Sequence, residues 1–148
     1  LGVAPENVAV WDFKVRYFSD HRQDILERFV KLQKDFRPQL VLLPNRADIH
    51  QDHATVSLEG LRAFKHSTVL GYELPQNATE LDTQTFVELE ESDVEDKIRA
   101  LTEYKSQSFR PYTSRDIVTG MARLRGMQCN ARFAEAFEAI RISLRLGA

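Results

Sequence analysis

One stretch constrains the fold of this chain more than any other. Leu40-Val41-Leu42-Leu43, closed by Pro44, leads into the polar loop Asp48-Ile49-His50-Gln51-Asp52-His53, and then into Ala54 to Phe64, which has the spacing of an amphipathic helix. A short, continuously apolar run reads as a strand buried on both faces of a parallel sheet. Strand, polar loop and helix in succession are the grammar of a layered α/β fold. Open α/β sheets place their ligands beyond the carboxyl ends of their strands. There this chain gathers two of its four histidines, with carboxylates beside them.

The rest of the chain extends the same grammar. Val8 to Phe13 is rich in strand formers, and Val15 to Phe18 either extends that strand or forms a loop. Ser19 or Asp20 is placed to cap a helix running to Phe36, with Ile25, Leu26, Phe29, Val30 and Leu32 at helical spacing. Arg37-Pro38 should end it. Ser67 to Tyr72 reads as the next strand, and Thr85 to Leu89 alternates as an edge or antiparallel strand would. Ser92-Asp93-Val94-Glu95 fits a capping box that opens a helix to about Gln107. Thr113 or Ser114 can cap another helix, with Gly126 as its C-cap. The tail stays open: Phe133, Phe137, Ile140 and Leu144 suit a helix, while Phe137 to Ile142 suits a strand.

Composition mainly excludes. At 148 residues the chain is long enough for one core, and length suggests one domain. A net charge of −2 and a pI near 6.1 offer no basic footprint for nucleic acid. A lone cysteine, Cys129, makes neither an intrachain disulfide nor a zinc-finger set, and reads as a small, partly buried side chain. No apolar run approaches the roughly 18–20 residues needed to span a bilayer, so a soluble, cytoplasmic protein is the default expectation. The opening Leu1-Gly2-Val3-Ala4-Pro5 reads as the interior of a larger fold. A fragment is therefore expected, with its N-terminal part absent, and a bared sheet edge would then favour self-association.

His50 and His53 at i and i+3 fall on one side of a helix's first turn. Imidazole is a common zinc ligand, and a carboxylate such as Asp52 can orient one. The same residues also make an ordinary polar loop in which Asp52 caps the helix and both histidines are solvated. Spacing alone leaves both readings open. A catalytic zinc takes about three protein ligands, and no other cluster in the chain has convincing spacing. His21 and His66 stand alone and read as surface residues.

Leu40 to Pro44 running into Asp48 to His53 resembles the second motif of the PIG-L/LmbE-like metal-dependent de-N-acetylases. Phe13 to Phe18 with Arg22 to Leu26, Leu70 to Pro75, Tyr104 to Gln107, and Arg125 to Gln128 with Ala134 to Phe137 are similar to flanking segments of a bacterial branch, in the same order. The resemblance implies an α/β, Rossmann-like three-layer sandwich with a mostly parallel sheet, incomplete at its N-terminus. It implies a zinc-dependent hydrolase that removes acetyl groups from N-acetylated sugars, such as N-acetylglucosamine, or from glycoconjugates. The family's Ala-His-Pro-Asp-Asp-Glu motif, which supplies two zinc ligands and the general base, is not in these residues. The resemblance makes His53 a zinc ligand, His50 the histidine that stabilises the tetrahedral intermediate, and Asp52 the carboxylate paired with it. It places the remaining ligands upstream of residue 1, so the 148 residues alone are expected to be inactive. It also favours a strand near Ala134 to Ile142, and it admits a homo-oligomer. Arg16, Asp48 and Lys105 are candidates for substrate-facing polar groups, each equally readable as structural or solvated. Two other functions remain open: a catalytically incomplete carbohydrate-binding or structural module, and a hydrolase of another N-acylated small metabolite.

Overall fold

The apolar run becomes strand β1 (Leu40–Pro44), parallel to β2 (Thr68–Tyr72) with Leu40 opposite Thr68 and Pro44 opposite Tyr72. These elements come from a computed structural model that describes residues 2–78, 80, 82–107 and 109–144. β4 (Phe133–Arg141) runs antiparallel to β2, pairing Phe137 with Tyr72 and Glu138 with Gly71, and with β3 (Thr85–Leu89) the strand order is β1-β2-β4-β3. The expected mostly parallel sheet is thus corrected to a mixed one. Apolarity reports that a strand is buried but not which way it runs. The tail resolves as strand rather than helix.

By its contacts the chain divides into two compact units, Leu1–Val10 with Phe86–Ala136 and Trp11–Thr85 with Phe137–Ala148. In the second unit, α1 (Arg22–Phe36) and α2 (Gln51–Ala63) cover the same face of the strands. Phe29 and Leu32 of α1 and Val56 and Leu61 of α2 share a core with Val41, Leu43, Val69 and Ile140. Leu40 and Leu42 point away from this core and are 53% and 50% exposed, so that face of β1 is covered only at its carboxyl end, at Pro44. Glu59 of α2, fully buried, ties the helices together: Arg22 reaches it from α1 at 2.6 Å and Arg62 from its own helix at 2.5 Å.

The strand expected over Val8 to Phe13 does not form. Its aromatic residues are used for packing instead. Trp11 lies against Phe29 with ring centroids 5.5 Å apart, Phe13 lies against Phe18 at 5.9 Å, and the Arg28 guanidinium covers both Trp11 and Phe13. A 3₁₀ turn over Phe18–His21 moves the start of α1 to Arg22, so neither Ser19 nor Asp20 caps it.

In the first unit, α3 (Glu91–Thr102) and α4 (Arg115–Cys129) enclose Val94, Ile98, Val118, Ala122 and Phe133. The capping box is real but lies two residues earlier than expected, between Glu90 and Asp93, and α3 ends at Thr102 rather than near Gln107. Ser114 caps α4 by accepting from the Ile117 N–H. Gly126 does not stop α4, which ends at Asn130 in the left-handed region (φ 62). Its hydrogen is needed for packing: a Cβ there would lie 2.7 Å from the Ala131 carbonyl oxygen and 2.8 Å from the Phe133 nitrogen. The returning chain crosses the helix at that point.

Candidate active site

β1 ends at Pro44 and the chain turns through Asn45–Ile49 into α2, which places Asp48, His50, Asp52 and His53 within one turn of backbone. Several bonds fix this loop. Asn45 N–H donates to the Tyr72 carbonyl, its side-chain Oδ1 accepts from Ala47 N–H, and Ile49 N–H donates to the Asn77 carbonyl. Buried Glu138 on β4 takes the Arg46 N–H at 3.0 Å on one oxygen and the Arg46 Nε–H on the other.

Asp48 is 4% exposed and is the hub of the loop. One of its oxygens accepts from the His50 N–H at 2.8 Å. The other meets His53 Nδ1 at 2.7 Å, with Asn77 Nδ2 3.4 Å away. Its charge also bears on Tyr72, whose phenol pKa is raised, first by burial and second by the Asp48 carboxylate.

His50 is the N-cap of α2, and its Nδ1 accepts the Asp52 N–H at 3.2 Å. The two imidazoles stack with centroids 4.6 Å apart and an interplanar angle of 29°. Their partners assign opposite tautomers. His50 uses Nδ1 as an acceptor, so its proton sits on Nε2. His53 has a carboxylate at Nδ1, so its proton sits there and Nε2 carries the lone pair. One ring offers a donor and its neighbour a ligand atom.

Asp52 is also buried, at 4% exposure, but its carboxylate does not pair with the His50 ring as the resemblance implies. It accepts from the backbone N–H groups of Arg16 at 2.6 Å and Phe18 at 3.2 Å, because the 3₁₀-bound loop before α1 brings those free donors to it. Arg16 thus joins the cluster through its backbone, held at φ 74. Lys105 belongs to the other unit, on the 3₁₀ turn Lys105–Gln107. Sequence reading misses Asn77 and Glu138, since a loop amide and a strand carboxylate carry no periodic signature.

His53 fits one position of a metal site: its Nε2 is free while a buried carboxylate holds the opposite nitrogen, the arrangement in which ligating histidines are usually found. Among the described residues no group of three His, Cys, Asp or Glu side chains is placed to hold a metal ion. No helix among the described residues is long and apolar enough to cross a membrane.

Two solved structures share this fold. The conserved protein TT1542 from Thermus thermophilus superposes with a TM-score of 0.66 over 84% of this chain, at 19% identity. The zinc-inhibited form of teicoplanin deacetylase Orf2 superposes with a TM-score of 0.65 over 87%, also at 19% identity. The chain spans 61% and 55% of the lengths of those two structures. No protein-family model and no curated protein matches the chain.

Proposed function

We propose that this chain carries part of the active site of a zinc-dependent deacetylase that acts on an N-acetylated sugar or glycoconjugate. The observation behind this reading is the pair of stacked imidazoles with opposite tautomers, one presenting an N–H and the other a lone pair from the same helical turn. The likeness in fold to a teicoplanin deacetylase supports it.

In this reading His53 Nε2 is one metal ligand, and the other ligands come from residues outside these 148. Zinc, when bound, acts as a Lewis acid toward the acyl carbonyl. Asp48 fixes the His53 tautomer and the orientation of its ring. His50 directs its Nε2–H at the acyl oxygen, where negative charge develops as the carbonyl carbon becomes tetrahedral. A donor already in place for that charge lowers the barrier without reorganising during the reaction. Asp52 acts one step back, bonding the loop at Arg16 and Phe18 to the base of α2. Arg16 is proposed as a substrate-facing cation, whereas Asp48, being buried, belongs behind His53.

The test uses the full-length enzyme, with metal content and turnover measured on the same samples. His53→Ala should lose zinc. Asp48→Asn should weaken zinc affinity by about 10–100-fold. His50→Ala should keep its zinc while kcat falls by about 10²–10³-fold, the usual consequence of losing one oxyanion donor. Unchanged metal content and undiminished turnover in both histidine variants would overturn the assignment.

A further inference from the structure

We propose that the cavity at the carboxyl end of α1 is a second, non-catalytic site, which binds a phosphate-bearing small molecule. The cavity has a volume of about 790 Å³, within the roughly 300–1,000 Å³ typical of small-molecule sites. Lys34, Arg37 and His66 line it, and Gln33, Gln39 and Ser143 add neutral polar groups. No carboxylate is among its lining residues that are described. Asp35, the nearest acid in sequence, is engaged by Lys31 at 2.5 Å. Among the described residues Lys34, Arg37 and His66 make no ion pair.

The helix dipole accounts for part of this charge, since cations are favoured near a carboxyl terminus. That explains Lys34 in the last turn of α1. It explains neither His66, which comes from the loop between α2 and β2, nor the backbone of Arg37. Arg37 is the C-cap of α1 at φ 46 and ψ 54, directly before Pro38. Glycine or asparagine is the usual residue in that left-handed position. A bulky side chain held there is a local strain of the kind that collects at binding sites, and here the residue that carries it is one of those lining the cavity. A guanidinium fork and an ammonium supplied to one cavity suit the oxygens of a phosphate. Orthophosphate alone would leave most of the volume to water, so the ligand carries its phosphate on an organic body.

This site is separate from the histidine pair. Gln39 precedes β1 and Asn45 follows it, so the two sites lie at opposite ends of a five-residue strand, roughly 16 Å at ~3.3 Å per residue.

The test is an NMR titration of this chain with inorganic pyrophosphate, with sodium sulfate at matched ionic strength as control. Saturable shifts are expected in the His66 ring signals and the Lys34 and Arg37 amides, with sulfate much weaker. Arg37→Gly relieves the backbone strain and so should keep or raise the melting temperature, while weakening pyrophosphate binding about tenfold. Lys34→Ala should weaken it comparably, and His50→Ala should leave it unchanged. Shifts that are absent, do not saturate, are matched by sulfate, or persist undiminished in both cation variants would overturn the proposal.

Discussion

The two compact units differ in where they keep their charge. In the unit of α3 and α4, the buried residues described are apolar apart from Arg125, and the ion pairs join surface partners: Lys97 with Glu135, Arg115 with Glu95, Arg132 with Glu91. In the unit of α1 and α2, Asn45, Asp48, Asp52, Thr55, Ser57, Glu59, Ser67 and Glu138 are all buried. A buried polar group is costly unless its bonds are complete. Most of these bind backbone N–H groups or guanidinium groups, and Asn45 Nδ2 is the one buried side-chain polar atom among the described residues without a partner. One unit leaves its charges in water. In the other, buried carboxylates hold the structure: Asp48 fixes the His53 ring, while Asp52, Glu59 and Glu138 tie loops and helices together.

The largest break in this comparison should come from Glu59. Glu59→Ala removes the buried anion that joins α1 to α2 and strands two guanidinium groups. Breaking a fully buried pair costs about 3–5 kcal/mol, but Arg22 and Arg62 are half exposed and can return to water, so about 2–3 kcal/mol is expected from chemical denaturation. Glu95→Ala, which removes the partner of Arg115 on the surface of the other unit, should leave the denaturation midpoint unchanged. If the two variants behaved alike, the distinction between the units would fail.

This difference also decides what could be read from sequence. Val94, Ile98 and Leu101 recur at helical spacing, and an amphipathic helix needs nothing else to declare itself. α2 was legible for the same reason, and β1 as a short apolar run closed by proline. The functional loop was legible as composition, with two histidines among carboxylates, but not as wiring. Asp48 lies in the loop and Asp52 in the first turn of α2, and nothing in their spacing tells which one supports a ring. That depends on the free N–H groups of Arg16 and Phe18 arriving at Asp52 from 34 to 36 residues away. Strand direction is hidden in the same way, because the antiparallel match of Phe137 with Tyr72 is a long-range choice. Val8 to Phe13 misleads because aromatic and β-branched residues serve strand and core packing equally well.

Two glycines in α4 sharpen the contrast at intermediate size, and in opposite directions. Alanine normally stabilises a helix interior by about 0.5–1 kcal/mol relative to glycine. At Gly120 a Cβ would meet nothing within 4 Å, so Gly120→Ala should raise the melting temperature. At Gly126 all three nearest contacts are backbone atoms at 2.7–2.8 Å, which cannot rotate aside. Gly126→Ala should therefore destabilise by about 1–3 kcal/mol despite the helical gain. A stabilised Gly126→Ala would mean that β4 does not cross α4 as closely as described.

The smallest expected effect is a pH dependence that belongs to the histidine-bearing unit. Tyr72 has its phenol pKa raised above the ordinary value of 10.0 by burial and by Asp48. Its folded pKa therefore lies above its unfolded pKa, so the unfolded chain releases this proton first as pH rises. The stability that Tyr72 contributes is complete below about pH 10 and is lost as pH climbs through the raised folded value. Tyr72→Phe has no proton to lose there. Its stability should fall less steeply than wild type above pH 10, and the two curves should run parallel at neutral pH. Asp48→Asn should shift Tyr72 back only in part, since burial is the larger cause. A spectrophotometric titration of the phenolate in the two proteins separates these contributions. A Tyr72 that titrates alike in wild type and in Asp48→Asn would show that the Asp48 carboxylate does not act on the phenol.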